Sequence, residues 1–271
     1  MKIVGQENLE KEINKILDIF EASNCEIRPH FILTGPSGSG KSFTIKTIAN
    51  NKKIGFLEIN AAQLTKEGTS GNSVSKALTP LINQAGKPCV VFVDEFDKLF
   101  ISGNSNSDLA HESTNGVQNE FLKILESDTA SVFGDYGKYI QASVKNVLFI
   151  FGGAFNGEEE IDLDRLRELG LKTEFLGRVG LVYNTKPLEL EDLFEILDNS
   201  ILFKNYLELF TDIDSETAMY DIKAKIKENY ENNTLGARMV NTLINQYFIK
   251  GGFCSEQEKK ITFQKKLTFN N

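Results

Sequence analysis

From Leu9 onward the apolar positions Ile13, Ile16, Leu17 and Phe20 recur every three or four residues, a spacing that predicts an amphipathic opening helix. Four short apolar runs follow: FILTG at 31–35, IGFLEIN at 54–60, CVVFVDE at 89–95 and VLFIF at 147–151, with a weaker GLVY at 180–183. Each is rich in branched or aromatic residues, and helix-length segments separate them. A strand that is apolar along its whole length must be covered on both faces. The alternation therefore predicts an α/β fold, a five-stranded parallel sheet with helices on either side.

After Pro187 the pattern becomes helical only. Leu193, Phe194, Leu197 and Ile201 mark one helix, Ile222, Ile226 and Tyr230 a second, and Leu235, Met239, Leu243 and Phe248 a third. The expected organisation is a large domain over 1–187 and a small helical domain with a C-terminal tail over 188–271. The tail, KKITFQKKLTF, alternates apolar and basic residues as an edge strand does, and a frayed terminus reads the same way.

At 271 residues and 41% hydrophobic composition the chain buries a sizeable core. Its 38 acidic and 30 basic residues give a net charge of -8, so no domain-wide positive field invites nucleic acid, and only a local basic patch is left for that role. The three cysteines, Cys25, Cys89 and Cys254, are far apart and outside any CxxC spacing, which argues against a disulfide framework or zinc site and for a reducing, cytoplasmic setting. The opening MKIVGQENLEKEINKIL carries a charge every few residues, and no apolar run nears the roughly 18 to 20 residues that span a bilayer. Neither a signal peptide nor a membrane partner is expected.

The chemistry begins directly after the first strand. Gly35, Pro36, Ser37, Gly38, Ser39, Gly40, Lys41 and Ser42 spell GPSGSGKS, which fits GxxxxGK[ST] and runs into the helix SFTIKTIAN. Successive N–H groups of such a loop wrap a phosphate chain, Lys41 reaches the terminal phosphates, and the Ser42 hydroxyl can bind Mg2+. Phe43, next in the helix, joins this ATP-contacting set. Some fifty residues on, VVFV ends in Asp94 and Glu95. A carboxylate at the carboxyl end of a buried parallel strand faces the ligand crevice, so Asp94 can organise the magnesium shell and Glu95 can polarise an attacking water. Hydrolysis of ATP is then the expected reaction. Asp97 reads as a cap on a helix starting at Lys98.

Together these features resemble the AAA+ ATPases, and within them the ClpX/HslU branch. IVGQENLEKEI looks like that branch's adenine-pocket segment, bringing in Ile3 and Val4; VLFIFGGAFNG at 147–157 looks like its fourth strand, TEFLGR at 173–178 like the arginine-finger segment, and LGAR at 235–238 like sensor 2. The resemblance implies that Arg178 projects into the ATP site of a neighbouring copy, in a homo-oligomeric ring expected to be a hexamer. It also implies that Arg238, placed on the third helix of the small domain, contacts nucleotide in its own chain. Arrangement of either arginine in a surface ion pair, Arg178 with Glu174 for example, is the competing reading.

Three departures shape the functional expectation. The position after the fourth strand, usually polar in AAA+ proteins, is filled by Gly152, Gly153 and Ala154. Only NGEEEIDLDRLRELGLK separates GGAF from the finger segment, too short for the loop that docks on a ClpP-type peptidase, and no zinc-binding adaptor domain is expected ahead of Val4. By resemblance GTSG at 68–71 takes the place of the first pore loop, with Thr69 and Ser70 where unfoldases carry an aromatic and an aliphatic residue. That exchange removes about 2 to 4 kcal/mol of apolar burial per loop. A second pore-facing candidate is the Ser102–Asn115 stretch with His111, which reads equally as a plain loop. The leading expectation is an ATP-driven, ring-forming remodeller of a protein client. A nucleic-acid loader or motor, using Thr69, Ser70 and Lys66, and an ATP-controlled assembly scaffold are the alternatives.

Overall fold

The computed structural model describes residues 2–66, 71–84, 86–101, 108–134 and 137–253, with the side chains of 108–114 outside that description. In chain order the elements are α1 (Glu7–Ala22), β1 (Phe31–Thr34), α2 (Lys41–Asn51), β2 (Gly55–Asn60), α3 (Val74–Ala77), β3 (Cys89–Asp94), α4 (Asp108–Leu125), β4 (Thr129–Phe133), β5 (Tyr139–Ser143), β6 (Val147–Gly152), α5 (Leu163–Glu168), α6 (Thr173–Arg178), β7 (Leu181–Asn184), α7 (Leu190–Asp198), α8 (Ile201–Leu209), α9 (Ser215–Asn229) and α10 (Arg238–Lys250).

All five apolar runs are strands of one sheet, ordered β2-β3-β6-β1-β7 and parallel at every pairing. Every residue of β1 and β6 is buried, as is β3 up to Val93, because helices cover both faces. The register pairs Phe31 with Ile150 and with Leu181, and Asn60 with Asp94, so the carboxyl ends of the strands line one edge of the sheet. On one face of the sheet a phenylalanine cluster is packed: Phe96 lies 4.7 Å from Phe151 and 5.1 Å from Phe175, ring centre to ring centre. These rings fix the turn after β3 against β6 and α6, and deleting any one fully buried Phe costs about 3 to 5 kcal/mol.

Two features depart from the sequence reading. β4 and β5 form an antiparallel hairpin that the apolar pattern did not announce. Its buried residues are the small or single ones, Ala130, Val132 and Ala142, which alternate with exposed neighbours over too few positions to stand out. Among the described residues after Pro187 there are four longer helices, not three. The first stops at Asp198, and Ser200 starts the next by accepting from the Phe203 N–H at 3.2 Å, leaving Ile201 exposed. Leu235 likewise precedes its helix and is exposed; the last helix starts at Arg238.

The described chain divides into two compact units. One takes in Gln6–Pro36 and Gly40–Lys186, and the other Lys2–Gly5, Ser37–Ser39 and the described residues from Pro187 on. The second has its own core, built on Leu193, Leu197, Ile222, Ile226, Val240, Ile244 and Phe248. No helix among the described residues is long and apolar enough to cross a membrane.

Candidate phosphate and hydrolysis site

The site grows out of two neighbouring strand ends. β1 closes at Thr34, and the chain passes through the glycine-rich loop into α2, whose first residue is Lys41. Lys41 is buried, and its Nζ donates to the Gly35 carbonyl at 2.6 Å and the Pro36 carbonyl at 2.9 Å. Phosphate oxygens are stronger acceptors for an ammonium than carbonyls, so the same donors serve an anionic ligand held by this loop. Behind the loop, Thr185 Oγ1 donates to the Thr34 carbonyl at 3.2 Å, and a Cβ on Gly35 would stand 1.9 Å from that Oγ1. Only glycine fits there.

Ser42, second in α2, donates its hydroxyl to Asp94 Oδ2 at 3.0 Å. The other oxygen, Asp94 Oδ1, accepts from the Glu95 N–H at 2.9 Å. Asp94 is the last residue of β3, and Glu95 adopts a left-handed conformation (φ 55°) that ends the strand and leaves its carboxylate exposed beside the site. A hydroxyl and a carboxylate are hard oxygen donors, and their 3.0 Å separation matches adjacent oxygens around a cation with bonds of about 2.1 Å. These residues fit Mg2+.

Asp97 is not the cap of a helix starting at Lys98. The left-handed Glu95 begins a tight 3-10 turn two residues earlier, over Phe96–Leu99, and rotates Asp97 inward until it is 1% exposed. Its carboxylate accepts from the Phe155 N–H at 3.2 Å and the Ala154 N–H at 3.4 Å.

Within the second unit, Arg238 is the first residue of α10, the fourth longer helix among that unit's described residues instead of the third as expected, and its Nη1 donates to Ser37 Oγ at 2.9 Å. Ala237 N–H donates to the Gly38 carbonyl at 3.0 Å. Gly38 and Gly236 come so close that a Cβ on Gly38 would lie 2.1 Å from the Leu235 carbonyl oxygen. Ile3 is buried here and Val4 half-buried.

Arg178 ends α6 and is exposed; its Nη2 and Nε lie 2.8 and 3.1 Å from Glu126 Oε1. Glu174, the partner that sequence proximity suggested, is not the one used, because α6 is a single short helix whose end meets the residue following α4. Phe43 is exposed on α2. Thr69 and Ser70, the 102–107 part of the Ser102–Asn115 stretch, Cys254 and the KKITFQKKLTF tail lie outside the described residues, as does the side chain of His111.

Sequence reasoning missed three supports. Gln6 is buried and bonds both backbone groups of Lys186, donating at 2.7 Å and accepting at 3.1 Å. Thr185 backs Gly35, and His30 backs β6, its Nδ1 accepting from the Phe149 N–H at 3.0 Å. Burial, and then the Arg28 guanidinium, push the His30 imidazole down to about 4. Gln6 lies in the IVGQENLEKEI segment without a role assigned to it there, and Thr185 and His30 sit in no motif, each polar beside an apolar run.

Residues 31–163 match the ATPase family associated with various cellular activities (AAA). Over 328 aligned positions the chain is 28% identical to the ATP-dependent Clp protease ATP-binding subunit ClpX of Borrelia duttonii and to that of Borrelia recurrentis, covering 99% of this chain and 76% of each relative. The ClpX of Bacteroides thetaiotaomicron is also 28% identical, over 77% of this chain and 63% of its own length. The phosphate loop and the acidic end of β3 fall inside the matched region, and the chain carries an ATP-hydrolysing module similar to the AAA family and to ClpX.

Proposed function

We propose that this ATPase works as a ring of identical copies that remodels a protein client. The observation that carries the reading is the convergence of Ser42 and Asp94 at 3.0 Å with Glu95 next in the chain, which supports reading the first two as magnesium ligands and the third as a general base. Lys41 holds the terminal phosphates, Ser42 and Asp94 hold Mg2+, and Glu95 takes the proton of the attacking water. Mg2+, when bound, offsets the negative charge of the phosphates. Ile3, Val4, Phe43 and Arg238 complete the nucleotide-contacting set of one chain, and Arg178 serves the next.

Support for action between copies comes from the contrast in burial: Lys41 is enclosed by its own loop, whereas Arg178 stands exposed at a helix end. An arginine supplied in trans contributes about 10³ to 10⁵ in rate in other NTPases. The segment between Asn156 and Lys172, where the ClpX resemblance calls for a peptidase-docking loop, instead buries Ile161, Leu166 and Leu171 in the core, which favours a remodeller working without a ClpP-type peptidase. The polar Thr69 and Ser70 favour mild rearrangement of a client over forceful unfolding.

The test is ATPase activity as a function of protein concentration. Specific activity should climb steeply and the Arg178→Ala variant should stay near zero; full activity in dilute monomer would end the ring reading. Glu95→Gln loaded with ATP should co-purify with its client. Salt-sensitive stimulation by DNA or RNA would favour the loader alternative instead. ATP-driven assembly, with biological function intact in Glu95→Gln, would favour a scaffold.

A further inference from the structure

The carboxylate strand and the phosphate loop are not adjacent in the sheet. β6 lies between β3, which carries Asp94 and Glu95, and β1, which leads into the loop. The spacing between the water-activating group and the phosphates is therefore set by whatever fixes the end of β6 on both sides.

Toward β1 the link is a backbone bond: the Gly153 N–H donates to the Leu33 carbonyl at 3.2 Å. Toward β3 it is a side chain. The Asp97 carboxylate, two residues beyond Glu95, accepts from the next two amides of the same segment, Ala154 and Phe155. A continuous line of contacts thus runs from the turn bearing Glu95, through Asp97 and the 153–155 peptides, to the last residues before the phosphate loop.

Three further observations show that this line is built tightly. A Cβ on Gly153 would meet Asp97 Oδ1 at 2.7 Å and the Phe155 ring at 2.7 Å, and one on Gly152 would meet the Phe92 ring at 2.3 Å. Phe155 and Asn156 both hold left-handed conformations, φ 46° and 60°, which a Cβ disfavours and which persist only where surroundings impose them. Asp97 itself is 1% exposed, with Lys98 Nζ 3.9 Å from its carboxylate. A carboxylate placed this deep needs its amide donors, so it cannot relax away from them at little cost.

We propose that Asp97 is a positioning residue for ATP hydrolysis: it clamps the end of β6 to the turn carrying Glu95 and so sets the distance from that carboxylate to the phosphate loop. Gly153, directly after β6, follows from the same arrangement, since the polar group at this strand end comes from the turn after β3 and occupies the room that a side chain at 153 would need. The inference rests on the reading of Glu95 as general base.

The experiment compares Asp97→Asn, Asp97→Ala, Gly153→Ala and Glu95→Gln at saturating protein concentration, with steady-state ATPase kinetics, nucleotide binding by fluorescence and thermal melting. Asp97→Asn keeps the side-chain shape but turns one acceptor into a donor facing an N–H. It should lower kcat about 10- to 100-fold while the nucleotide Kd moves less than about threefold, because misplacement at the reacting centre acts on the chemical step. Gly153→Ala should do the same by displacing Asp97, and the two changes together should cost less than the product of their separate effects. Asp97→Asn with kcat within twofold of wild type, beside an inactive Glu95→Gln, would overturn the inference, as would a lowered melting temperature with kcat per folded molecule unchanged. Should Asp97→Ala not fold, Asp97→Asn and Gly153→Ala decide. An active Glu95→Gln beside a slow Asp97→Asn would remove the role given to Glu95, and with it the positioning role given to Asp97.

Discussion

The two halves of the proposed hydrolytic apparatus are built from different material. Lys41, Ser42 and Asp94 stand where buried strands end, and every one is held by a contact to the loop or strand beside it. Arg178 stands at the end of a six-residue helix and is held by one ion pair to Glu126 in which the side chains are 54% and 43% exposed. The first group is organised by the fold of one chain. The second is held by an interaction that water and salt screen, and a phosphate from another copy is a stronger partner for it. Lys41 is buried and Ser42 and Asp94 are half-buried, whereas the group assigned to a neighbour is left at the surface.

The comparison breaks first at Lys41. Lys41→Ala should lower ATP turnover by about 10² to 10³-fold, the scale for losing one preorganised donor at a reacting centre, read in steady-state assays alongside nucleotide binding. Turnover within tenfold of wild type would mean that the buried group is not the one that works on phosphate.

A smaller effect comes from the frame behind the site. His30 has a folded-state value of about 4 against the ordinary 6.5, so the folded chain binds fewer protons than the unfolded one between those values. Its neutral form contributes stability that is complete above about pH 6.5 and is lost as pH falls toward 4, about 2 kcal/mol of it by pH 5. Urea unfolding at pH 7 and pH 5 measures this, and His30→Gln should flatten the dependence.

The smallest effect is expected at Glu126. Glu126→Ala should change stability by no more than about 1 kcal/mol, as exposed pairs do. A loss well above that in a melting experiment would place Arg178 in the frame with the buried groups and erase the distinction.

Much of the sheet was legible because strands buried on both faces must be largely apolar, as β1, β3 and β6 are, while the edge strand β2 is only partly buried and exposes Glu58. The phosphate loop was legible for a related reason: wrapping an anion with backbone amides demands glycines and a lysine at fixed spacing. The β4–β5 hairpin was not, since Ala130 and Ala142 bury too little to mark a pattern. The split between α7 and α8 was missed because Leu197 and Ile201 keep helical spacing across the break, and only the capping hydroxyl of Ser200 shows where one helix ends.

The sequence by itself determined the class of fold and the phosphate chemistry, both of which follow from local rules of burial and spacing. Tertiary structure alone decided that Asp97 faces inward onto Ala154 and Phe155, that Gln6 holds Lys186, and that Arg178 meets Glu126. These pairs lie 52 to 180 residues apart in the chain. Contacts of that range depend on which strand lies beside which, and that order is fixed by packing of the whole sheet.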